Sequence, residues 1–139
     1  SDKIATSASI VARDKKIRDI VHKFQQKCAY DPPKKYAGSV LDGRDITSVI
    51  LKDAMFKFYI TADINVRARR RYKEYKSLKK DISFKEVLKS LKIRDKSDKT
   101  RKYGPLKKTK DSILLNNSKL SKTACFKKIK AIMDRKIKA

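Results

Sequence analysis

Arg94, Asp98 and Arg101 stand at i, i+4 and i+7, a spacing that brings all three to one helical face with a carboxylate between two guanidinium groups. The carboxylate can hold both arginines in fixed rotamers while each keeps donors for phosphate or sugar oxygens. That arrangement suits a transferring phosphoryl group, whose charge has to be neutralised as it moves. A second constellation, Asp42-Gly43-Arg44-Asp45, puts a guanidinium and a carboxylate right after the apolar run Ser39-Val40-Leu41. A third is Ala8-Ser9-x-Val11-Ala12 with Ile17-Arg18 beyond it, and a fourth is the basic run Arg67-Ala68-Arg69-Arg70-Arg71-Tyr72. Taken singly, each has a plain explanation: a solvated turn, or a charged helix face whose exposed pairs add little stability.

The elements that must position these residues can be read from periodicity. Ile17, Ile20, Val21, Phe24 and Cys28 recur at helical spacing, and Asp31-Pro32-Pro33 ends that helix. Residues 4–12 read as a shorter helix joined to it. Ser39 to Asp42 reads as a short buried strand, Lys57 to Thr61 as a second, and Ile113-Leu114-Leu115 as a third. Asp63 is placed to cap a helix running to about Lys80, and Ser83 with Glu86 forms a capping box. The helix it opens has Phe84, Val87, Leu88 and Leu91 on its apolar face, and a very polar segment then runs from Arg94 to Lys110, broken at Gly104-Pro105. Ser121 can cap the last helix, with Phe126, Ile129, Ile132 and Met133 turned inward. Strands alternating with helices predict an α/β fold with a parallel sheet flanked by helices, in which ligands bind beyond the carboxyl ends of the strands. Arg44 and Asp45 fall at such an end.

Composition narrows the classes. At 139 residues, with 40% hydrophobic and 39% charged residues, the chain can build a modest core and is not of disordered composition. No apolar stretch approaches the ~20 residues of a membrane span. The net charge of +24 fits a polyanion-binding surface, but lysine greatly outnumbers arginine and is scattered along the whole chain, as a lysine-biased composition would give. Cys28 and Cys125 lie far apart among apolar positions and read as buried thiols. His22, the only histidine, reads as an exposed helix residue, so a metal site held by protein ligands is not expected.

Together and in this order the four constellations resemble the bacterial cytidylate kinase family: A-S-x-V-A, I-R, V-L-D-G-R-D-I, D-A-x-x-K-F-Y-I-T-A, R-A-x-R-R-Y-K-E and I-R-D-x-x-D-x-x-R-x-x-x-P-L. The similarity covers essentially the whole chain. It implies a partial P-loop nucleoside monophosphate kinase fold with the first strands missing: residues 1–37 as the helical part of the nucleotide-monophosphate-binding region, residues 38–139 as the α/β core, and a lid at about 94–108. By resemblance, Ser9, Arg18 and Asp45 recognise the CMP base, Asp45 accepting from the exocyclic amino group that distinguishes cytosine from uracil. Arg44 grips the nucleotide's phosphate, Arg94 and Asp98 lie near the pentose and the transferring phosphate, Arg101 is a nucleotide-binding arginine of the lid, and Arg70 lies near ATP. The implied reaction moves a phosphoryl group from ATP, with Mg²⁺, to CMP or dCMP in a cytoplasmic, monomeric enzyme with no specific nucleic-acid or membrane partner.

The chain also departs from the family pattern. Thr47 replaces a glycine in the D-G-R-D-I-G-T turn and is strained if that position needs φ > 0. Lys52 replaces a proline, Ser97 stands where the lid carries an arginine, and Lys99 stands at a place often held by one. No G-x-x-x-x-G-K-[ST] loop occurs, and the only glycines are Gly38, Gly43 and Gly104. The 139 residues therefore read as a C-terminal part of a kinase, expected to lack useful activity and to fold poorly or self-associate. Two other readings stay open. One is a small basic nucleic-acid-binding protein, whose binding would be salt-dependent without preference for CMP. The other is a non-catalytic CMP-binding remnant.

Overall fold

The computed structural model describes residues 14–138 together with Ser7 and Val11. Ser9 and the expected helix over 4–12 therefore lie outside the described residues, apart from Ser7 and Val11. The chain divides into two compact units, Ser1–Ala54 with Asp98–Thr109, and Met55–Ser97 with Lys110–Ala139.

In the first unit, helix α1 (Lys15–Tyr30) starts at Asp14, whose carboxylate accepts from the Ile17 N–H at 3.1 Å. It stops where the sequence said it must, with Asp31 closing the last turn before the two prolines. The expected strand at 39–42 does not form. That segment is irregular and Val40 is almost fully exposed. An apolar run extends into a strand only beside a neighbour that can take up its backbone groups, and no described strand lies along it. A single π-helical turn, Ile46–Ile50, follows instead. Ile46, Ile50 and Leu51 are buried there, packed with Ala29, Leu41 and Ala54. Thr47 lies inside this turn and carries no strain, since the only described non-glycine residue with positive φ is Lys79.

The apolar face read on α1 is not buried: Ile17, Ile20, Val21 and Phe24 are exposed. Cys28 on the same face is exposed as well, against the expected buried thiol, and Cys125 is half-buried.

The second unit holds two parallel strands, β1 (Phe58–Thr61) and β2 (Ile113–Asn116), with Phe58 opposite Ile113 and Thr61 opposite Asn116. Buried Lys57, just before β1, pairs with Asp111, just before β2, and so fastens both strand starts. Asp63 caps helix α2 (Ile64–Ser77), accepting from the N–H groups of Asn65 and Val66 at 2.8 and 3.2 Å. Helix α3 (Phe84–Thr100) follows, its last residues from Asp98 belonging to the first unit. Ala68, Tyr75 and Val87 form the buried core between α2 and α3, with Tyr72, Phe84, Leu88 and Leu91 against it. Tyr72 and Phe84 meet edge to face at 6.1 Å. Ser121 caps helix α4 (Lys122–Lys138) through the Ala124 N–H, as expected. Of its expected inward side chains, Ile129, Ile132 and Met133 are half-buried, while Phe126 is exposed. Among the described residues no helix is long and apolar enough to cross a membrane.

The capping box at the start of α3 is fully formed. Glu86 Oε2 accepts from the Ser83 N–H and hydroxyl at 2.8 and 2.6 Å, and the Ser83 hydroxyl accepts from the Glu86 N–H at 3.2 Å. Hydrogen bonds from the Ser83 hydroxyl, and then from its N–H, hold the Glu86 carboxyl below its usual value. A depressed folded value means that this contribution is complete above the ordinary carboxylate range and is lost as pH falls through the folded value. Ser83→Ala is expected to lower stability by about 1 kcal/mol at pH 7 and by less at pH 3, read from urea unfolding at the two pH values.

Candidate functional site

Of the residues singled out in the sequence, Arg18, Arg44, Asp45, Asp98 and Arg101 gather in the first unit as two clusters that share a turn, while Arg70 and Arg94 belong to the second unit. Arg18 projects from α1 and Asp45 from the loop just before the π-helical turn; both are buried and they are ion-paired. The backbone fixes Asp45 from behind, because its carbonyl accepts from the Val49 and Ile50 N–H groups at 2.9 and 3.3 Å. Gln26 Nε2 donates to the Ile50 carbonyl at 3.1 Å and ties that turn to α1, so the helix carrying Arg18 and the loop carrying Asp45 are locked together. Two unit charges taken out of water are tolerable only when each satisfies the other.

His22 belongs to this cluster, one helical turn beyond Arg18. Its Nε2 lies 3.2 Å from Arg18 Nη2 and 3.5 Å from Asp45 Oδ2, with the side chain largely covered. The expectation of an exposed histidine was wrong because the partner that covers it comes from 23 residues away in the chain, while the i, i+4 spacing to Arg18 was legible.

The neighbouring residue, Arg44, serves the second cluster. Its Nε donates to Asp98 Oδ2 at 2.6 Å, and Arg101 Nη1 lies 3.7 Å from Asp98 Oδ1. Asp98 thus sits between Arg44 and Arg101, whereas the spacing had set it between Arg94 and Arg101. After α3 the chain folds back: the Leu106 N–H donates to the Asp98 carbonyl at 2.7 Å, and Arg101 Nε donates to the Gly104 carbonyl at 2.7 Å. Gly104 has φ +54°, and its Cα rests against the first cluster. A Cβ there would run into Arg18 Nη2 and the Asp45 carboxylate, with Asp45 Cγ only 2.8 Å away. Gly104 therefore joins the clusters, its carbonyl on Arg101 and its Cα on the Arg18–Asp45 pair. The sequence offered Gly104-Pro105 only as a break.

In the second unit, Arg67 clamps Asp95 with two hydrogen bonds, Nη1 to Oδ1 at 2.9 Å and Nη2 to Oδ2 at 2.5 Å. Hydrogen bonding to Asp95 raises the guanidinium above its usual value, against the opposing effect of burial. This fork ties α2 to the turn of α3 that carries Arg94, which is exposed. Arg70 is occupied with the segment after β2, donating to Asn117 Oδ1 and to the Asn117 and Leu120 carbonyls at 3.0, 2.8 and 3.2 Å. Among the described residues no group of three or more His, Cys, Asp or Glu is placed to hold a metal ion.

A parallel two-stranded sheet within a helix-rich chain, with arginines and carboxylates gathered on the D-G-R-D turn and at the end of α3, is a partial nucleoside monophosphate kinase fold. The chain belongs to the cytidylate kinase family, whose model matches residues 1–135. A cytidylate kinase of Clostridium botulinum is 43% identical over 132 residues, covering 95% of this chain and 58% of the relative. Those of Bartonella henselae and Mesomycoplasma hyopneumoniae are 39% identical over 139 residues and 36% over 137, covering 100% and 99% of this chain and 63% and 58% of theirs. The chain thus spans about three-fifths of the length of these curated relatives.

Proposed function

We propose that this chain supplies the acceptor-nucleotide side of a phosphoryl transfer from ATP to CMP or dCMP. The observation that carries the reading is the buried Arg18–Asp45 pair set beside the Arg44–Asp98–Arg101 cluster. In this reading the Asp45 carboxylate accepts from the exocyclic amino group of cytosine, Arg18 donates to the ring's acceptors, and Ser9 completes base recognition. A uracil carbonyl facing Asp45 would set acceptor against acceptor, and a site built to bond one group rejects the analogue lacking it. Arg44 and Arg101 take the acceptor's phosphate, while Arg94 and Asp98 serve the pentose and the phosphoryl group in flight.

The chemistry needs little beyond position and charge. A phosphate monoester is largely dianionic at neutral pH, so its oxygen can attack the γ-phosphorus of ATP without a general base. ADP leaves with the bond electrons, and the guanidinium groups, which stay protonated, offset charge spread over the transferring oxygens. Asp98 contributes by fixing Arg44 and Arg101 before the ligand arrives. Mg²⁺ would neutralise phosphate charge when bound, and no residue of this chain is assigned to it. On the ATP side only Arg70 is assigned, through the 117–120 segment that it holds.

Titrating the 139-residue chain with CMP and UMP by calorimetry tests the proposal. CMP is expected to bind at least about tenfold more tightly than UMP. Equal affinities would overturn base recognition, and salt-dependent binding of random RNA without a CMP preference would favour the nucleic-acid reading. Selective binding is expected of the non-catalytic remnant as well, and turnover of CMP with ATP by an enzyme containing this chain separates the two.

A further inference from the structure

Arg101 belongs to the second cluster but holds the residue that braces the first. Its guanidinium is planar, so Nε, Nη1 and Nη2 cannot turn independently of one another. Nε donates to the Gly104 carbonyl at 2.7 Å, while Nη1 lies 3.7 Å from Asp98 Oδ1, beyond hydrogen-bond length. The side chain is 24% exposed, so a ligand can reach its Nη end. Gly104 in turn lies against Arg18 Nη2 and the Asp45 carboxylate, so closely that an added Cβ would run into both.

None of residues 101–106 is fully buried, so core packing does not set where Gly104 sits. The turn is closed at its base by the Leu106 N–H on the Asp98 carbonyl at 2.7 Å, and at its tip by the Arg101 bond to Gly104. Whatever steadies the Arg101 plane therefore steadies Gly104 against the Arg18–Asp45 pair. Such a pair selects between bases only while it cannot swing round to suit the wrong one, because the mismatched groups then stay unpaired at full cost.

We propose that Arg101 is a positioning residue for base recognition, so that a phosphate bound on its Nη groups sharpens the choice between cytosine and uracil. The phosphate takes up donors of the guanidinium and fixes its plane. Nε, in that plane, then fixes the Gly104 carbonyl, and Gly104 holds the Arg18–Asp45 pair. Coupling of this kind is reciprocal: cytosine strengthens the grip on phosphate by the same factor. The inference rests on the base-recognition and phosphate readings above and adds to them a dependence of selectivity on the phosphate.

The test titrates the unmodified 139-residue chain with cytidine, uridine, CMP and UMP by calorimetry in a phosphate-free buffer. A phosphate that merely adds its own contacts strengthens both bases alike and cancels in the ratio of CMP to UMP affinity. That ratio is expected to exceed the ratio of cytidine to uridine affinity by about tenfold, within the ordinary range of coupling between sites. Arg101→Lys keeps a cation for the phosphate but loses the planar fork. In that variant CMP and UMP should be discriminated no better than the nucleosides, whose own ratio should not change. Equal ratios in the unmodified chain overturn the coupling and leave base recognition standing. An excess that survives in Arg101→Lys overturns the role of Arg101. Nucleotides that bind no more tightly than their nucleosides remove the phosphate contact and the inference with it, and ratios near one for both pairs bring down base recognition as well. A second readout needs no variant: saturating inorganic phosphate should raise the ratio of cytidine to uridine affinity, and no rise counts against the proposal.

Discussion

Gly104→Ala is expected to cost about 2–3 kcal/mol of stability and to weaken CMP binding at least about tenfold, although no polar atom is removed. Two effects combine. At φ +54° an alanine sits in the left-handed region, which is unfavourable by about 1–2 kcal/mol for an L-residue. The added Cβ also lands on Arg18 Nη2 and the Asp45 carboxylate, neither of which can retreat easily: Asp45 is held through its own carbonyl, and Arg18 is buried and ion-paired to it. The pair must separate or the turn after α3 must move, and movement of the turn also takes the Gly104 carbonyl away from Arg101. Gly38→Ala is the control, since a Cβ there meets nothing within 4 Å and its φ is not positive. Urea unfolding and CMP titration of both variants check the prediction, and equal behaviour of the two would show that Gly104 does not brace the pair.

Asp45→Ala is expected to have the larger effect on recognition. Removing one partner of a buried ion pair leaves the other charge uncompensated and costs about 3–5 kcal/mol, here through the Arg18 guanidinium. CMP binding should fall by about a hundredfold or more, because a hydrogen bond to a carboxylate is lost and Arg18 is no longer held. On the base-recognition reading UMP gains nothing from that carboxylate and should lose far less, so the CMP preference is expected to disappear. In an enzyme containing this chain, the KM for ATP should change far less than that for CMP. Equal losses for CMP, UMP and ATP would mean that the substitution only unfolds the unit. A chain stability measured beside each titration keeps the two explanations apart.

Features set by neighbouring residues were legible in the sequence. Asp63, the Ser83–Glu86 box and Ser121 cap their helices because a cap is a contact over two or three residues. Strands β1 and β2 were read from short apolar runs and do pair in parallel. The same kind of run at 39–42 failed as a strand, because an apolar tetrapeptide looks alike whether or not a neighbour is available to receive its backbone. Within the candidate site, the spacing of Asp98 and Arg101 was readable, whereas the arrival of Arg44 across 54 residues was not. The Arg67–Asp95 fork joined two residues that the sequence had placed in separate constellations. Gly104 escaped because a glycine's close contact leaves no signature in its own residue type.

The uncovered stripe of Ile17, Ile20, Val21 and Phe24 on α1 has a consequence for the behaviour of the chain in the test tube. With a net charge of +24, long-range self-repulsion is expected to keep such stripes from meeting at low ionic strength. Salt shortens the reach of that repulsion from about 30 Å at 0.01 M to about 3 Å at 1 M. The ordinary remedy for a sticky basic protein, a high-salt buffer, therefore works against this one. A dilute buffer that keeps its charges in view of one another is the condition in which the CMP and UMP titrations are best made.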